Sequence, residues 1–218
     1  MAKVVHVIGN GDWASLYQRE QRKGLKLTCN LPPFAVPDAW ATCIVDFKFM
    51  KALTDGSLQA PGQWILGYRP KIHMEKYPGF YMKHAAQVKE FYLDLPPYAK
   101  VHASDTKGNM YTNFSCGHMA VHYAANKLKA DEINMWGFDS MFDFNLNSCS
   151  DFYLSSVRDP RQNNKLSTNW RPIWTGMFKE FSKTKFKIHH IHDGFKMGVS
   201  GNVEAVVHEK KVKKITSR

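Results

Sequence analysis

Val4–Asn30 reads VVHVIGNGDWASLYQREQRKGLKLTCN. A short apolar run, Val4–Ile8, breaks at Gly9-Asn10-Gly11. A polar, helix-like stretch follows, and a second apolar run, Leu25–Cys29, ends at Asn30. The order is strand, glycine turn, helix, strand. The first run is rich in β-branched residues and too short for a typical helix, which fits a buried strand of a parallel sheet. Glycines at the turn let the backbone take positive φ and approach a ligand closely. The helix that follows would aim its unpaired N–H groups at an anion, most often a phosphate, with Asp12 or Ser15 as its cap. The fuller fingerprint GxGxxG is absent, because Ala14 follows Gly9 and Gly11. A plain strand-to-helix turn of any α/β protein is therefore an equal reading.

The chain has 218 residues, 44% hydrophobic and 22% charged, enough for one sizeable core. Val4–Ile8 is too short for the apolar stretch of a signal peptide, and no run approaches the roughly 20 apolar residues of a membrane span. Cys29, Cys43, Cys116 and Cys149 form no CxxC pair, which argues against a zinc ribbon and fits reduced thiols in a cytoplasmic protein. The net charge of +11 attracts polyanions, such as nucleic acid or phosphorylated substrates. Part of it sits in a basic tail, residues 209–218, expected to be disordered.

Beyond Asn30, the three prolines of residues 31–40 mark a loop. Ala41–Phe47 and Trp64–Gly67 are strand candidates, with a short helix over Lys48–Thr54. Tyr68–Gly79, holding Pro70 and Pro78, reads as irregular. Phe80–Leu93 reads as an amphipathic helix ended by Pro96-Pro97, and Lys100–Ala103 as a weak strand. A helix over Ser115–Lys127 is followed by a strand, Glu132–Trp136, closed by Gly137-Phe138-Asp139. Residues 140–168 lack periodicity and read as a lid. Asn169–Thr184 is a helix with Pro172 in its first turn, and Lys185–Ile191 the last strand. Ligands of open α/β sheets gather outside the carboxyl ends of strands, where Asn10, Asn30, Asp46 and Asp139 stand.

GNG after the first strand, CN closing the second, SCG opening a helix and WGFD closing the next strand resemble, in this order, the bacterial Campylobacter-type sialyltransferases. Phage-encoded domains of related skeleton share the pattern. The match covers roughly residues 3–30 and 111–139, with weaker agreement over 169–184. The resemblance implies an α/β, Rossmann-like, mostly parallel sheet flanked by helices; chain length suggests one domain, over residues 1–208, ahead of the tail. It implies transfer of a sugar from a nucleotide-activated donor. Carried across, Gly9, Asn10 and Gly11 line the nucleotide phosphate and ribose, and Asn30 contacts the nucleotide or the sugar. Ser115, Cys116 and Gly117 match a donor-contacting Thr-Ser-Gly turn, and Gly137 and Asp139 a Gly-x-Asp that holds cytidine and ribose. The chain departs from the family at Asn113, where an Arg is usual, and at Met141, where a Tyr is usual. It also has no histidine between His122 and His189, where the family's catalytic His lies.

A glycosyltransferase needs a base for the acceptor and a stabiliser for the leaving phosphate. His190 and His192 fall on one face of a strand end. His192 is the candidate base and Asp139 a second catalytic candidate; a core-edge histidine cluster and a loop cap are the plainer readings of the two. His118 and His122 share a helix face, but Met119 stands where a zincin has Glu, and no metal ligand set has a recognisable spacing. No cofactor beyond a nucleotide-sugar donor is expected, and divalent-metal use stays open. The acceptor or another partner is expected to be polyanionic, with phage DNA as one version. The alternative is a nucleotide- or nucleic-acid-binding module that has lost the chemistry.

Overall fold

β1 (Val4–Ile8) lies between β2 (Leu25–Cys29) and β8 (Glu132–Trp136) and runs parallel to both. The computed structural model describes residues 2–19, 22–99, 101–103, 110–112, 114–142, 160–192 and 201–209. From β1 the chain steps outward through β2, β3 (Ala41–Ile44), β4 (Trp64–Leu66) and β5 (Val88–Phe91). It then returns to the other side of β1 as β8, followed by β9 (Lys185–His190) and β10 (Val203–Val207). Among the described residues these strands form one 8-stranded parallel sheet, ordered β10-β9-β8-β1-β2-β3-β4-β5. This is the expected α/β Rossmann-like architecture. The reversal of direction sets a topological switch point between the carboxyl ends of β1 and β8, where such sheets take ligands. A separate antiparallel pair joins β6 (Val101–Ala103) to β7 (Met110–Thr112).

The period-2 alternation of the strands assigns the two faces. Val5, Val7, Leu27, Cys29, Ile133, Met135, Phe186 and Ile188 pack with α4 (Cys116–Asn126) and α5 (Pro160–Glu180) through Met119, Val121, Trp174 and Phe178. On the opposite face Ile8 and Trp136 meet Trp13 and Leu16 of a 3-10 helix, Asp12–Arg19. Ile44, Trp64 and Leu66 meet Phe49, Met50 and Leu53 of α1 (Phe47–Thr54) and Met74 of α2 (Tyr68–Lys76). Each large side chain so buried contributes about 1.5–3 kcal/mol relative to exposure.

Several expectations are corrected. Tyr68–Gly79 is helical: α2 carries Pro70 in its first turn and α3 (Pro78–His84) opens on Pro78. Prolines are tolerated there because first-turn N–H groups have no partner within the helix. The helix expected over Phe80–Leu93 stops at His84, and Val88–Phe91 forms the edge strand β5. α5 begins at Pro160, so the last nine residues of the expected lid, 160–168, are helical, and Pro172 lies inside that helix. Residues 140 and 141 belong to a 3-10 turn, Asp139–Met141, while 143–159 lie outside the described residues, as do residues 210–218 of the tail. β10 follows β9 where no further strand is expected. Among the described residues no helix is long and apolar enough to cross a membrane.

Candidate functional site

The GNG turn is locked to the loop after β8. The Gly9 N–H donates to the Trp136 carbonyl (2.7 Å) and the Gly11 N–H to the Gly137 carbonyl (3.0 Å), which extends the β1–β8 pairing past the strand ends. The Trp13 N–H donates to Asp139 Oδ2 at 3.1 Å, so a carboxylate from a distant loop caps the 3-10 helix. Neither Asp12 nor Ser15 is needed for that bond. A Cβ on Gly11 would stand 1.9 Å from Asp139 Oδ2, and one on Gly9 2.7 Å from the Gly137 carbonyl oxygen. Gly137 has φ +70, and its own Cβ would lie 2.9 Å from the Ala14 Cα. The glycines of both loops thus admit one another. The Trp13 N–H that sequence reasoning offers to a phosphate is held by an anion of the chain itself.

The same loop reaches α4. Phe138 lies over Gly117, where a Cβ would come within 2.8 Å of its ring. Ser115 caps α4 in a reciprocal box: its Oγ accepts from the His118 N–H (3.3 Å) and its own N–H donates to His118 Nδ1 (3.0 Å). His118 takes the place Glu usually fills. Its ring is 4.3 Å from that of Trp174, and burial depresses its pKa to about 3, so it is neutral. His122, one turn on, meets the Tyr92 hydroxyl at 2.5 Å. Both histidines are structural, and among the described residues no group of three candidate ligands suits a metal. The box leaves the Cys116 and Gly117 N–H groups, which the helix cannot pair internally, at its start. The Cys116 thiol is buried and donates to the Cys43 carbonyl (2.8 Å); burial raises its pKa well above the ordinary thiol value. Any ligand contact at Cys116 therefore runs through its backbone.

Asn30 is beside that helix start, since its N–H and the Cys116 thiol both donate to the Cys43 carbonyl. It is one of the non-glycine residues with positive φ (51°), an Asn-tolerated conformation at a strand end. Its N–H donates to the Cys43 carbonyl (2.9 Å) and its Nδ2 to Asp46 Oδ2 (3.4 Å). That bond orients the amide and leaves Oδ1 buried with no hydrogen-bond partner, in a residue only 4% exposed. Such an acceptor costs about 1–3 kcal/mol when left unsatisfied. Asp46 also faces Arg69 Nη1 at 3.9 Å. Sequence reasoning passes over Arg69 because it reads Tyr68–Gly79 as irregular; the available signal is Gly67 followed by a proline two positions into the next segment, a helix opening directly on a strand end.

The structure thus gathers Gly9, Asn10, Gly11, Asn30, Ser115, Cys116, Gly117, Gly137 and Asp139 along one carboxyl edge. His192 follows β9 on the same edge. Its N–H donates to His190 Nδ1 (3.0 Å), and its ring stacks on Phe142 at 5.3 Å; Phe142 also stacks on His190 at 4.2 Å. On the other face of the sheet Trp136 is sandwiched between the Arg22 guanidinium (4.0 Å) and the His189 ring (3.5 Å), and its Nε1–H donates to His6 Nδ1 (3.2 Å). His189 donates through Nε2 to Asn134 Oδ1 (2.8 Å) and accepts at Nδ1 from His208 (2.9 Å); burial pushes its pKa down to about 2. Comparison with protein-family models, curated proteins and solved structures gives no match.

Proposed function

We propose that the carboxyl edge binds a nucleotide-activated sugar and that the chain is a glycosyltransferase of the sialyltransferase-like kind. The observation that carries this reading is Asn30: a buried amide whose Oδ1 has no partner, beside the α4 start and next to the switch point. An amide oxygen accepts from a ligand hydroxyl or exocyclic amine, as ribose, sugar and cytosine offer. The Cys116 and Gly117 N–H groups at the start of α4 suit the donor phosphate. Asp139, engaged by the Trp13 N–H, suits ribose hydroxyls better than phosphate, because a second anion beside it would be repelled.

In the reaction the acceptor oxygen forms a bond to the anomeric carbon. The bond from that carbon to the phosphate oxygen breaks, its electron pair staying on the nucleotide, and the acceptor proton passes to a base. His192 is the base of this reading. The ordered motifs GNG, CN, SCG and GFD support it as well. The second reading, a binding module without transfer, is favoured by the absence of a histidine between His122 and His189. Incubation of the chain with CMP-, UDP- and GDP-sugars, followed by assay of released nucleotide with candidate acceptors, separates the two. Release lost on His192→Ala supports transfer; tight donor binding with no release under any acceptor supports the binding module.

A further inference from the structure

α1 and α2 bury Phe49, Met50, Leu53 and Met74 against the sheet, which accounts for their inner faces. Their first residues do something else. Phe47 opens α1 at the end of β3 and is 45% exposed; Tyr68 opens α2 at the end of β4 and is 52% exposed. Ile72, one turn after Tyr68, is exposed too, and Tyr77, Tyr81 and Met82 extend the apolar surface onto α3. The two helices pack together and both begin on the carboxyl edge that holds Asn30 and Asp46.

Charge is interleaved with these rings. Residues 47–84 carry six cations (Lys48, Lys51, Arg69, Lys71, Lys76 and Lys83) against Asp55 and Glu75. Both acids are already matched within their own helices, Asp55 by Lys51 at 3.0 Å and Glu75 by Lys71. Arg69 faces Asp46 at the end of β3 (3.9 Å), so the surplus is that of Lys48, Lys76 and Lys83, and Lys76 Nζ lies 5.6 Å from the centre of the Tyr77 ring. A neutral glycan would use the rings and not the charge. A duplex or a sulfated polymer would use the charge and not the rings, since duplex bases are hidden in the stack. Unpaired bases with their phosphates use both.

We propose that the α1–α2–α3 face binds single-stranded nucleic acid, with bases stacked on Phe47 and Tyr68 and phosphates on the interleaved lysines. Because this face rims the carboxyl edge, the strand is the acceptor if the transferase reading holds; that clause rests on that reading, and the binding does not.

Fluorescence anisotropy of a labelled 12-nucleotide oligothymidylate with the full chain tests it, with a duplex of equal length and heparin as competitors across a salt series. Phe47→Ala and Tyr68→Ala are each expected to weaken binding about tenfold with the salt slope unchanged. Lys48→Gln is expected to lower the slope of log K against log salt by about 0.7. Both aromatic positions are exposed, so the variants retain the fold, checked by circular dichroism. Absence of binding overturns the proposal. So does duplex or heparin displacing the strand equally well, or affinity that disappears on removal of residues 210–218 while ignoring both aromatic substitutions. Binding that follows the rings when no donor nucleotide binds the chain would remove only the acceptor clause.

Discussion

Two corners of one carboxyl edge behave in opposite ways. At the β1–β8 corner the chain satisfies itself: Gly9, Gly11 and Trp13 give their N–H groups to Trp136, Gly137 and Asp139, and the space a Cβ needs is filled by the facing loop. At the β2–α4 corner an amide oxygen of Asn30 is buried without a partner beside a helix start. Both corners contain the residue types that suggest phosphate binding. At the first the N–H groups of the turn are taken and the buried Ser15 Oγ is left over; at the second the leftover oxygen is that of Asn30, beside a helix start, so glycine and strand-end position alone do not locate a ligand.

The largest expected effect breaks the closed corner. Gly11→Ala sets a methyl against the Asp139 carboxylate and the Gly137 carbonyl, and neither backbone can retreat without unpairing the loops. A loss of about 3 kcal/mol, or failure to fold, is expected in urea unfolding. Gly56→Ala, at positive φ (80°) and facing open space, is the control, which adds backbone strain without a clash and should cost about 1 kcal/mol. Equal losses at the two positions would mean that the loops do not interlock.

The histidines under the two corners titrate alike. His118 and His189 have folded pKa values of about 3 and about 2, below the unfolded value of about 6.5. Below pH 6.5 the unfolded chain binds protons that the folded chain refuses. Their contribution is therefore intact above about pH 6.5 and is lost as the pH falls toward 3. Each proton adds a slope of about 1.4 kcal/mol per pH unit. His118→Gln, which keeps an acceptor for the Ser115 N–H, is expected to remove one proton's worth of slope in urea midpoints taken between pH 7 and 4.5. An unchanged slope would mean that His118 is protonated in the fold.

The smallest effect concerns the open corner's scaffold. Ser115→Ala deletes the acceptor for the His118 N–H and should cost about 1 kcal/mol, read as a shift in thermal midpoint. No change would leave the α4 start held by its tertiary contacts alone.

The sheet is largely legible in the sequence because its central strands are short, mainly apolar runs bounded by Gly, Asn and Pro. Ser115 is legible as a helix start. The segments that resist are those where context overrides a local rule. Pro70 and Pro78 read as breakers but occupy first turns. Val88–Phe91 carries a lysine and a glutamate on an edge strand, so its alternation is weak. At the site, Asn30 and Asp139 are legible as strand-end polar residues. What they do is not, because Asp139 caps a helix 126 residues earlier in the chain and the state of Asn30 depends on Asp46 and Cys43.

The most direct test compares thermal shifts of the intact chain and Asn30→Gly across CMP, CDP, UDP, GDP, ADP and their sugar conjugates. Glycine accepts the positive φ and deletes only the amide. A ligand at 100 times its Kd should stabilise the intact chain by about 2.7 kcal/mol, several degrees at this size. The expected result is a shift with one nucleotide class that Asn30→Gly reduces as a tenfold loss of affinity, while the unliganded midpoint changes little. No shift with any nucleotide, or a shift indifferent to Asn30→Gly, would contradict a donor site at the open corner.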